Sequence, residues 1–579
     1  MFLRETRQRR TSGEVVTYLQ LVESVWDPVT KRSQIRVLFN FGRNDDATVR
    51  ERLRALAQGI LRRVAPEDLV RERSDWKLVD AWPYGDLYVL EQLWLRLGLK
   101  DLLPGLVEDA TRTKLPVERA AFAMVANRAL APCSKLYCYE QWLREDVVLD
   151  GTSGLQLDHL YRTMDFLEKH KESIEKALFF RVSDLFACDV ELVFYDTTTL
   201  HFEIDEEDAD GAEDATLRGS KLAGGKTYEA LRQRGRSSKN KRTDVPQIIV
   251  GLAVTRDGLP VRSWIFRGDT VDVETVTKVK EDLRGWRLTR CVFVGDAGMV
   301  SAKNLHQLAL GGGRYIVCMP IRPGTEVAKE VMTRPGRYHK VAQNLEVKQV
   351  LVGDGERRRR YVVCFNPHEA ARQKQHRERV VVELEAELAS LRAHKPDEEY
   401  TKRECALRVS ERYGKYLKLG TGGALVIDHA RVKEAAKLDG KFVVHSNDDT
   451  LNAEDLALGY KQLQRVEQAW RLLKSGLRIR PVFHWAPHRI SAHVSLAMLA
   501  LLLERLAENA CNDTWRNIRD DLRQIKLARL LSPHGEVWQV TEGTEDARRR
   551  LKQLGIKPPP LLLNATTAPR YTPVSRSAE

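Results

Sequence analysis

The chain has 579 residues, which is enough for roughly three or four domains. Hydrophobic residues make up 43% of it, and only 36 Gly and 21 Pro are present, so the composition excludes fibrous and wholly disordered proteins. Lys and Arg number 94 against 81 Asp and Glu, which leaves a net charge of +13. Because Lys and Arg gain affinity by displacing counterions from phosphates, a polyanion is the first partner to test.

The cysteines give no sign of a disulfide framework or a zinc ribbon, because the eight of them are scattered and none forms a CxxC pair. No apolar segment follows the basic N-terminus, so no signal peptide is predicted. The longest apolar stretch, residues 494–503, is about half as long as a membrane span. We therefore expect a cytoplasmic protein without a membrane segment.

Residues 1–80 are predicted to form a β-hairpin followed by a helix. Strand-like runs at 17–26 and 35–42 flank a polar turn, and apolar residues recur at helical spacing within 45–64. Residues 81–187 have the pattern of amphipathic helices. In a basic protein this helical module is a candidate DNA reader, but a domain that serves only packing fits the pattern equally well.

The next region, residues 188–320, predicts the element order β-β-β-α-β-α-β. Its first and fourth strands each deliver an aspartate, Asp196 and Asp296, at or near the C-terminal end. The predicted strands cover 191–196, 246–254, 260–268, 290–296 and 314–320, with helices near 272–283 and 301–310. An aspartate after a strand is commonly a turn former, so neither residue alone identifies a site.

A polar insertion with runs of both charge signs lies between the first two of these strands. Residues 203–214 are acidic and residues 217–243 are basic. A charge run is usually a solvated loop. For the basic run, which lies next to a candidate site, a nucleic-acid contact is the alternative.

Residues 321–445 interrupt the pattern of the core. Short strand-like pieces precede a charged helical hairpin near 367–415, and further strands follow it. We predict an α+β insertion here rather than a continuation of the sheet. Residues 446–510 then complete the core, and residues 511–579 form a C-terminal region whose tail, rich in Pro, Thr and Ser from position 557, is expected to fray.

A long helix is predicted over residues 453–475, with Asn452 as its N-terminal cap. Tyr460, Glu467 and Lys474 follow one another at intervals of seven, which places them on one line down that helix. Its buried stripe is predicted to comprise Leu456, Leu463, Val466, Trp470, Leu473 and Leu477. A tyrosine, a carboxylate and a lysine at the border of a buried face indicate the edge of a site.

Three carboxylates are thus candidates to converge within a few ångströms: Asp196, Asp296 and Glu467. Mg²⁺ prefers oxygen ligands. Two such ions can activate a nucleophile and stabilise the leaving oxygen of a phosphodiester. Because three carboxylates can offset much of the positive charge of two such ions, we expect a site for two Mg²⁺ or Mn²⁺ ions.

At these residues the sequence resembles the bacterial insertion-sequence transposases of the DDE superfamily, in the branch with the signature Y-x2-R-x3-E-x6-K. The segment YDTTTLHFE (195–203) resembles the first-aspartate motif of that family. VFVGDAGMVS (292–301) resembles the second, and YKQLQRVEQAWRLLK (460–474) resembles the third. GLAVTRDGLPV and the RGDTVD segment at 267–272 are also similar to family sequence.

The resemblance implies an α/β protein with an RNase H-like mixed-sheet catalytic core, in which Asp196, Asp296 and Glu467 are the catalytic and metal-ligating residues. It implies cleavage of double-stranded DNA at terminal inverted repeats and transfer of the released 3′-hydroxyl to target DNA. It also implies a homodimer that synapses two ends. Tyr460 and Lys474 are expected to hold the phosphate backbone near the cut.

Two positions depart from the family pattern. Leu463 stands in place of the signature arginine, and Ala297 follows the second aspartate where many relatives have a basic residue. Arg471, one turn after Glu467, is a candidate to bind a DNA phosphate, and an ion pair with Glu467 is the alternative. Neither departure removes a metal ligand.

Two rival functions stay open at this point. An RNase H-like nuclease or resolvase would cut DNA without strand transfer, and an inactive transposase-derived protein would only bind it. A strand-transfer assay distinguishes a transposase from the first rival. The intact Asp196, Asp296 and Glu467 weigh against the second, because an idle triad would retain its mutual repulsion.

Overall fold

The structure is a computed structural model. It describes residues 1–9, 15–61, 77–107, 115–185, 192–209, 212–213, 227–228, 230–235, 242–285, 292–322, 324–355, 358–393, 398–420, 423–532 and 535–567. In chain order the strands are β1 (Phe2–Arg9), β2 (Val15–Asp27), β3 (Arg32–Arg43), β4 (Lys77–Pro83), β5 (Leu192–His201), β6 (Ala212–Glu213), β7 (Thr227–Tyr228), β8 (Gln247–Val254), β9 (Pro260–Arg267), β10 (Val292–Gly295), β11 (Arg314–Met319), β12 (His339–Ala342), β13 (Leu345–Val352), β14 (Arg359–Phe365), β15 (Leu417–Leu419), β16 (Leu425–Ile427), β17 (Lys441–Ser446), β18 (Lys526–Ser532), β19 (Gly535–Val540) and β20 (Leu562–Thr567).

The α-helices, in the same order, are α1 (Ala47–Leu61), α2 (Gly85–Arg96), α3 (Leu99–Gly105), α4 (Val117–Leu130), α5 (Lys135–Tyr137), α6 (Leu157–Lys169), α7 (Lys171–Leu185), α8 (Asp272–Gly285), α9 (Ala302–Ala309), α10 (Pro367–Arg392), α11 (Glu398–Val409), α12 (His429–Lys437), α13 (Ala453–Lys461), α14 (Gln464–Ser475), α15 (Pro487–Cys511), α16 (Trp515–Leu522) and α17 (Glu545–Gln553).

The chain forms two compact units. The smaller unit takes in residues 1–81, 527–541 and 560–579, and the larger one takes in residues 82–526 and 542–559. The smaller unit contains the antiparallel sheet β1-β2-β3, the predicted β-hairpin with one additional strand, and the sheet β20-β19-β18-β4. Its helix α1 packs on the first sheet through apolar side chains, where Leu19, Phe41 and Val49 are buried together.

A nine-stranded mixed sheet organises the larger unit, in the order β12-β13-β14-β17-β11-β10-β5-β8-β9. Strands β5, β10 and β11 run parallel to one another, whereas β8 and β9 are antiparallel neighbours. Five strands in the order β9-β8-β5-β10-β11 are the arrangement that an RNase H-like core requires. Their apolar runs are buried on both faces, as expected for strands covered by helices on both sides.

The insertion is not separate from this sheet, so the prediction for residues 321–445 is wrong in that respect. Strand β17 pairs antiparallel with β11, and β14, β13 and β12 follow it, which extends the core sheet by four strands. The reason is physical: the free edge of β11 offers unpaired backbone groups, and β17 satisfies them. Helices α10 and α11 form the predicted charged hairpin.

Helices cover both faces of the large sheet. Helices α8 and α9 pack on the face that contains Tyr195 and Phe293. Helices α13 and α14 pack on the opposite face, against β11, β13, β14 and β17 and against β5 and β8, respectively. Helix α14, which carries Glu467, therefore lies on the face of β5 opposite to Tyr195.

The helical module packs around α15. This helix lies against α4 and α6, and most of its residues are buried. Among the described residues it is the one helix long and apolar enough to cross a membrane, and 89% of its apolar window is buried inside the protein. The buried contacts of α4 and α15 give these helices a packing role.

Two further predictions need correction. The helix predicted over residues 453–475 is interrupted at positions 462–463, so that α13 ends at Lys461 and α14 begins at Gln464. The tail predicted to fray forms β20 over its residues 562–567. The cap by Asn452 is confirmed, since its side chain accepts a hydrogen bond from the backbone N–H of Asp455 at 2.7 Å.

The charged insertion after β5 lies largely outside the described residues, which include only 227–228, 230–235 and 242–243 of the basic run. Where the two runs are described they contact each other, since Asp208 and Arg232 form an ion pair at 2.6 Å. The prediction that the basic run touches nucleic acid stays a prediction.

Gly251 of β8 should be sensitive to the smallest substitution. A Cβ at this position would lie 2.6 Å from the hydroxyl of Tyr195, which is fully buried next to Asp196. We expect Gly251→Ala to lower the free energy of unfolding by about 1–3 kcal/mol because of overpacking. Denaturant unfolding measures it, with Gly105→Ala as the control, because a Cβ at Gly105 meets open space. Equal midpoints for Gly251→Ala and the unmodified chain would contradict the close packing.

Candidate active site

The two aspartates are set side by side by strand register. Strands β5 and β10 are parallel neighbours in which Phe194 is level with Val294. Two residues further along, the same register brings Asp296 beside Asp196. Because side chains alternate along a strand, both aspartates lie on the sheet face that Phe194 and Val294 share, opposite the face of Tyr195 and Phe293.

Glu467 reaches this face from α14. The buried side of α14 comprises Val466, Ala469, Trp470 and Leu473. Glu467 lies at the border of that side, and α14 packs on β5 and β8. The glutamate therefore faces the strand that carries Asp196.

The three carboxylates interact electrostatically. Although much of Glu467 is exposed, partial burial raises the pKa of its carboxyl group, and the negative charges of Asp196 and Asp296 raise this pKa further. The guanidinium of Arg471 lowers it. Within the described ranges, no three His, Cys, Asp or Glu side chains stand close enough together to form a ready-made cation site.

Tyr460 is joined to the second aspartate. Its hydroxyl donates a hydrogen bond to Oδ1 of Asp296 at 3.1 Å, and its ring packs on Phe442 with the centroids 5.5 Å apart. Burial raises the pKa of Tyr460, with the neighbouring Cys318 and Asp296 adding to the effect, so the phenol is a hydrogen-bond donor. Tyr460 thus reaches Asp296 from α13, although it was predicted to lie on one helix with Glu467.

Two family models match the chain. The model "IS1634 family transposase, N-terminal domain" matches residues 3–72, and the model "Transposase DDE domain" matches residues 214–503, which is half of the chain. The chain belongs to the DDE transposases. The matched DDE segment contains Asp296 and Glu467 but begins after Asp196, so the first aspartate is placed by strand geometry rather than by the match.

Comparisons with curated proteins and with solved structures add little information about this transposase. None of the curated proteins compared with it matches. Among solved structures, a piggyBac transposase synaptic complex with hairpin DNA matches at 9% identity with a TM-score of 0.33. That match covers 76% of the present chain and 80% of the other, and a TM-score this low supports no statement about the present site.

The two residues that depart from the expected motif pattern, Leu463 and Ala297, have structural consequences in this transposase. Leu463 is buried, as predicted, and lies in the turn between α13 and α14, where an arginine would have to be desolvated. Ala297 begins a single 3₁₀ turn, Ala297–Met299, directly after Asp296. Arg471 is exposed, and Lys474 lies one further turn along α14 on the same edge as Glu467.

A fourth carboxylate, Asp272, was not predicted from the sequence. It lies next to the segments of both Asp196 and Asp296, on the opposite face of the sheet. Thr197 donates a hydrogen bond to Oδ1 of Asp272 at 2.5 Å. Oδ2 of Asp272 lies 3.6 Å from where a Cβ on Gly298 would be. Asp272 is the first residue of α8 and the last of the RGDTVD segment. That segment, which is similar to family sequence, was the available signal, but its spacing does not predict this contact.

The raised pKa of Glu467 predicts how the stability of the cation-free transposase depends on pH. Because the folded-state pKa lies above the unfolded one, ionised Glu467 destabilises the fold, fully above the folded pKa and not at all below the unfolded pKa of about 4.3. Glu467→Gln should therefore raise the thermal midpoint at neutral pH in the presence of a chelator, and this advantage should vanish near pH 4.

Thermal unfolding followed by dye fluorescence measures this difference. Glu385→Gln is the matched control, because Glu385 is an exposed glutamate on α10, in the insertion. The control should leave the midpoint unchanged at both pH values. A lower midpoint for Glu467→Gln at neutral pH would show that the carboxylates do not repel one another.

Proposed function

We propose that this DNA transposase cuts the ends of its element and joins the released 3′-hydroxyl to target DNA at a site formed by Asp196, Asp296 and Glu467. The proposal is supported by the strand register that sets Asp196 and Asp296 on one face of the sheet, and by the effect of their charges, which raise the pKa of Glu467. Carboxylates that repel one another in the fold need a positive charge between them, and a catalytic cation supplies it.

The donor set fits a hard divalent cation. Three carboxylates offer oxygen ligands alone, which Mg²⁺ and Mn²⁺ prefer. We propose that Asp196, Asp296 and Glu467 hold two such ions. When bound, the ions supply Lewis-acid activation of the attacking oxygen and charge stabilisation of the leaving oxygen.

The remaining side chains position the reacting groups. Tyr460 fixes the orientation of Asp296 by its hydrogen bond, so its proposed contact with a DNA phosphate is secondary to this one. Arg471 offsets part of the negative charge beside Glu467, and its guanidinium can also bind phosphate. Lys474 lies about 10 Å along α14 from Glu467, by the rise of 1.5 Å per residue, which suits an adjacent phosphate of the same strand.

The partners follow from the reaction. The substrates are double-stranded DNA with terminal inverted repeats and double-stranded target DNA. A homodimer is proposed because one element has two ends to be held together. We place this activity in the cytoplasm, with the DNA.

Removing any one carboxylate should stop the chemistry and leave DNA binding largely intact. We expect Asp196→Asn, Asp296→Asn and Glu467→Gln each to abolish cleavage of end DNA, since each keeps its shape but loses a ligating charge. Cleavage should require Mg²⁺ or Mn²⁺, and Ca²⁺ should support binding better than chemistry. Cleavage and strand-transfer assays measure this, and cleavage near the normal rate in one variant would remove that residue from the site.

The strand-transfer assay also separates the proposal from its first rival. A transposase joins a labelled 3′-hydroxyl end to a plasmid, whereas a nuclease or resolvase releases only cut ends. Cleavage without joining, under conditions in which the protein is folded and binds ends, would favour the rival.

Lys474→Ala should weaken end binding without changing the metal requirement. If Lys474 contacts one phosphate, the slope of log affinity against log salt concentration should fall by about 0.9 on duplex DNA. Binding measured at several salt concentrations gives the slope. Lys433→Ala is the matched control, because Lys433 is an exposed lysine on α12 of the insertion. Parallel lines for Lys474→Ala and the unmodified chain would mean that Lys474 does not touch DNA.

A further inference from the structure

A large groove lies beside α14. It has a volume of about 930 Å³ and is bounded by the turn between β8 and β9, by α14 and by the C-terminal end of α15. Three arginines line it: Arg465 and Arg471 from α14, and Arg505 from α15. Neither the motif expected around Glu467 nor the carboxylate site accounts for Arg465 or Arg505.

Two of the three acidic side chains that line the groove are paired, Glu508 with Arg505 of the groove itself and Asp513 with an arginine outside it. Glu508 accepts from Nη1 of Arg505 at 2.9 Å and from the backbone N–H of Trp515 at 2.8 Å. Asp513 forms an ion pair with Arg550 at 2.5 Å. Within the described part of the chain, the guanidinium of Arg465 has no hydrogen-bond or ion-pair partner, so no pairing offsets its positive charge.

Arg505 provides a second, independent observation. The residue is only 8% exposed, yet its Nε and Nη2 have no hydrogen-bond partner among the described residues. Buried guanidinium N–H groups normally find acceptors. The turn at Gly258 lies close, since a Cβ there would be 3.8 Å from Nε of Arg505. The wall of the groove thus contains a buried guanidinium that is only partly paired, and its charge, rather than a direct contact, acts on a ligand in the groove.

One residue, Arg471, links the groove to the carboxylate site. Arg471 lines the groove, and its charge also acts on Glu467, one helical turn earlier. On a helix with 100° per residue, Arg471 lies between Glu467 and the stripe formed by Gln468 and Arg465. A chain of phosphates that starts at the carboxylates can therefore pass over Arg471 into the groove.

We propose that this groove binds backbone phosphates of the DNA strand that continues from the cleavage site. The inference rests on the proposed function and extends it from the reacting phosphodiester to the path of its strand. Phosphate oxygens are suitable acceptors for the exposed guanidinium of Arg465, and the buried charge of Arg505 favours an anion in the groove. The groove holds the DNA by its charge and not by its sequence.

The test is DNA binding by the full-length chain with Asp196→Asn, in the presence of a chelator, so that neither chemistry nor a cation contributes. The probe is linear duplex DNA of arbitrary sequence, and the affinity is measured at several salt concentrations. Arg465→Ala should reduce the salt slope by about 0.9, equivalent to one phosphate contact. Arg408→Ala is the matched control, because Arg408 is an exposed arginine on α11 of the insertion, and its slope should be unchanged.

A gain of function checks the same groove without removing an arginine. Asp257 lies exposed at its edge, and its backbone carbonyl accepts a hydrogen bond from Asn509. Asp257→Lys should therefore leave the fold intact and strengthen DNA binding, with a steeper salt slope. Because Arg505 is buried, the unfolding midpoint of Arg505→Met must be measured alongside its DNA binding. If the midpoint is unchanged, the variant should bind DNA with lower affinity.

The outcomes separate this proposal from the proposed function. Unchanged affinity and slope in both Arg465→Ala and Asp257→Lys would overturn the groove assignment while leaving the carboxylate site untouched, including the case in which the groove binds an acidic protein segment instead. Conversely, if Asp196→Asn cleaved end DNA normally, the proposed catalytic site would fail, whereas the slopes would still report on the groove.

Discussion

The parallel pairing of β5 with β10 is the constraint on which the site depends. This register brings Asp196 and Asp296 level on adjacent strands, which are separated by about 4.8 Å in any sheet. A shift by one residue in either strand would turn one aspartate to the opposite face, away from α14. The apolar residues that precede each aspartate are buried, so burial of the core fixes the register and the register fixes the charges. Hydrophobic packing therefore holds the carboxylates near one another despite their electrostatic repulsion.

The interruption between α13 and α14 allows Tyr460 and Glu467 to approach different parts of the sheet. On one straight helix, Tyr460 and Glu467 would lie about 10 Å apart along the axis. The turn at Gln462 and Leu463 replaces regular helical hydrogen bonds with shorter-range ones, from Leu463 N–H to the Tyr460 carbonyl and from Val466 N–H to the Leu463 carbonyl. Each helix then packs on its own part of the sheet, so that Tyr460 reaches Asp296 while Glu467 faces β5.

The sequence predicted the elements that are encoded locally. The apolar runs ending in Asp196 and Asp296 form β5 and β10, and the border position of Glu467 follows from helical periodicity. Nonlocal pairing was not predictable in the same way. The strands of the insertion were recognised one by one, but nothing in their own residues indicates that β17 joins the edge of β11. The break at Leu463 lacks a proline, and the contact of Asp272 with Thr197 links segments 75 residues apart.

Arg471 couples the two parts of the proposed substrate path. In the cation-free protein its charge lowers the pKa of Glu467, which opposes the effect of the two aspartates. A phosphate bound in the groove competes for the same guanidinium, and the carboxylates then lose part of their compensation. Their repulsion grows, and so does the benefit of a divalent cation between them. By linkage, a bound cation must favour phosphate binding to the same extent. If both proposals hold, the carboxylates would bind their cation most strongly when DNA is already in place.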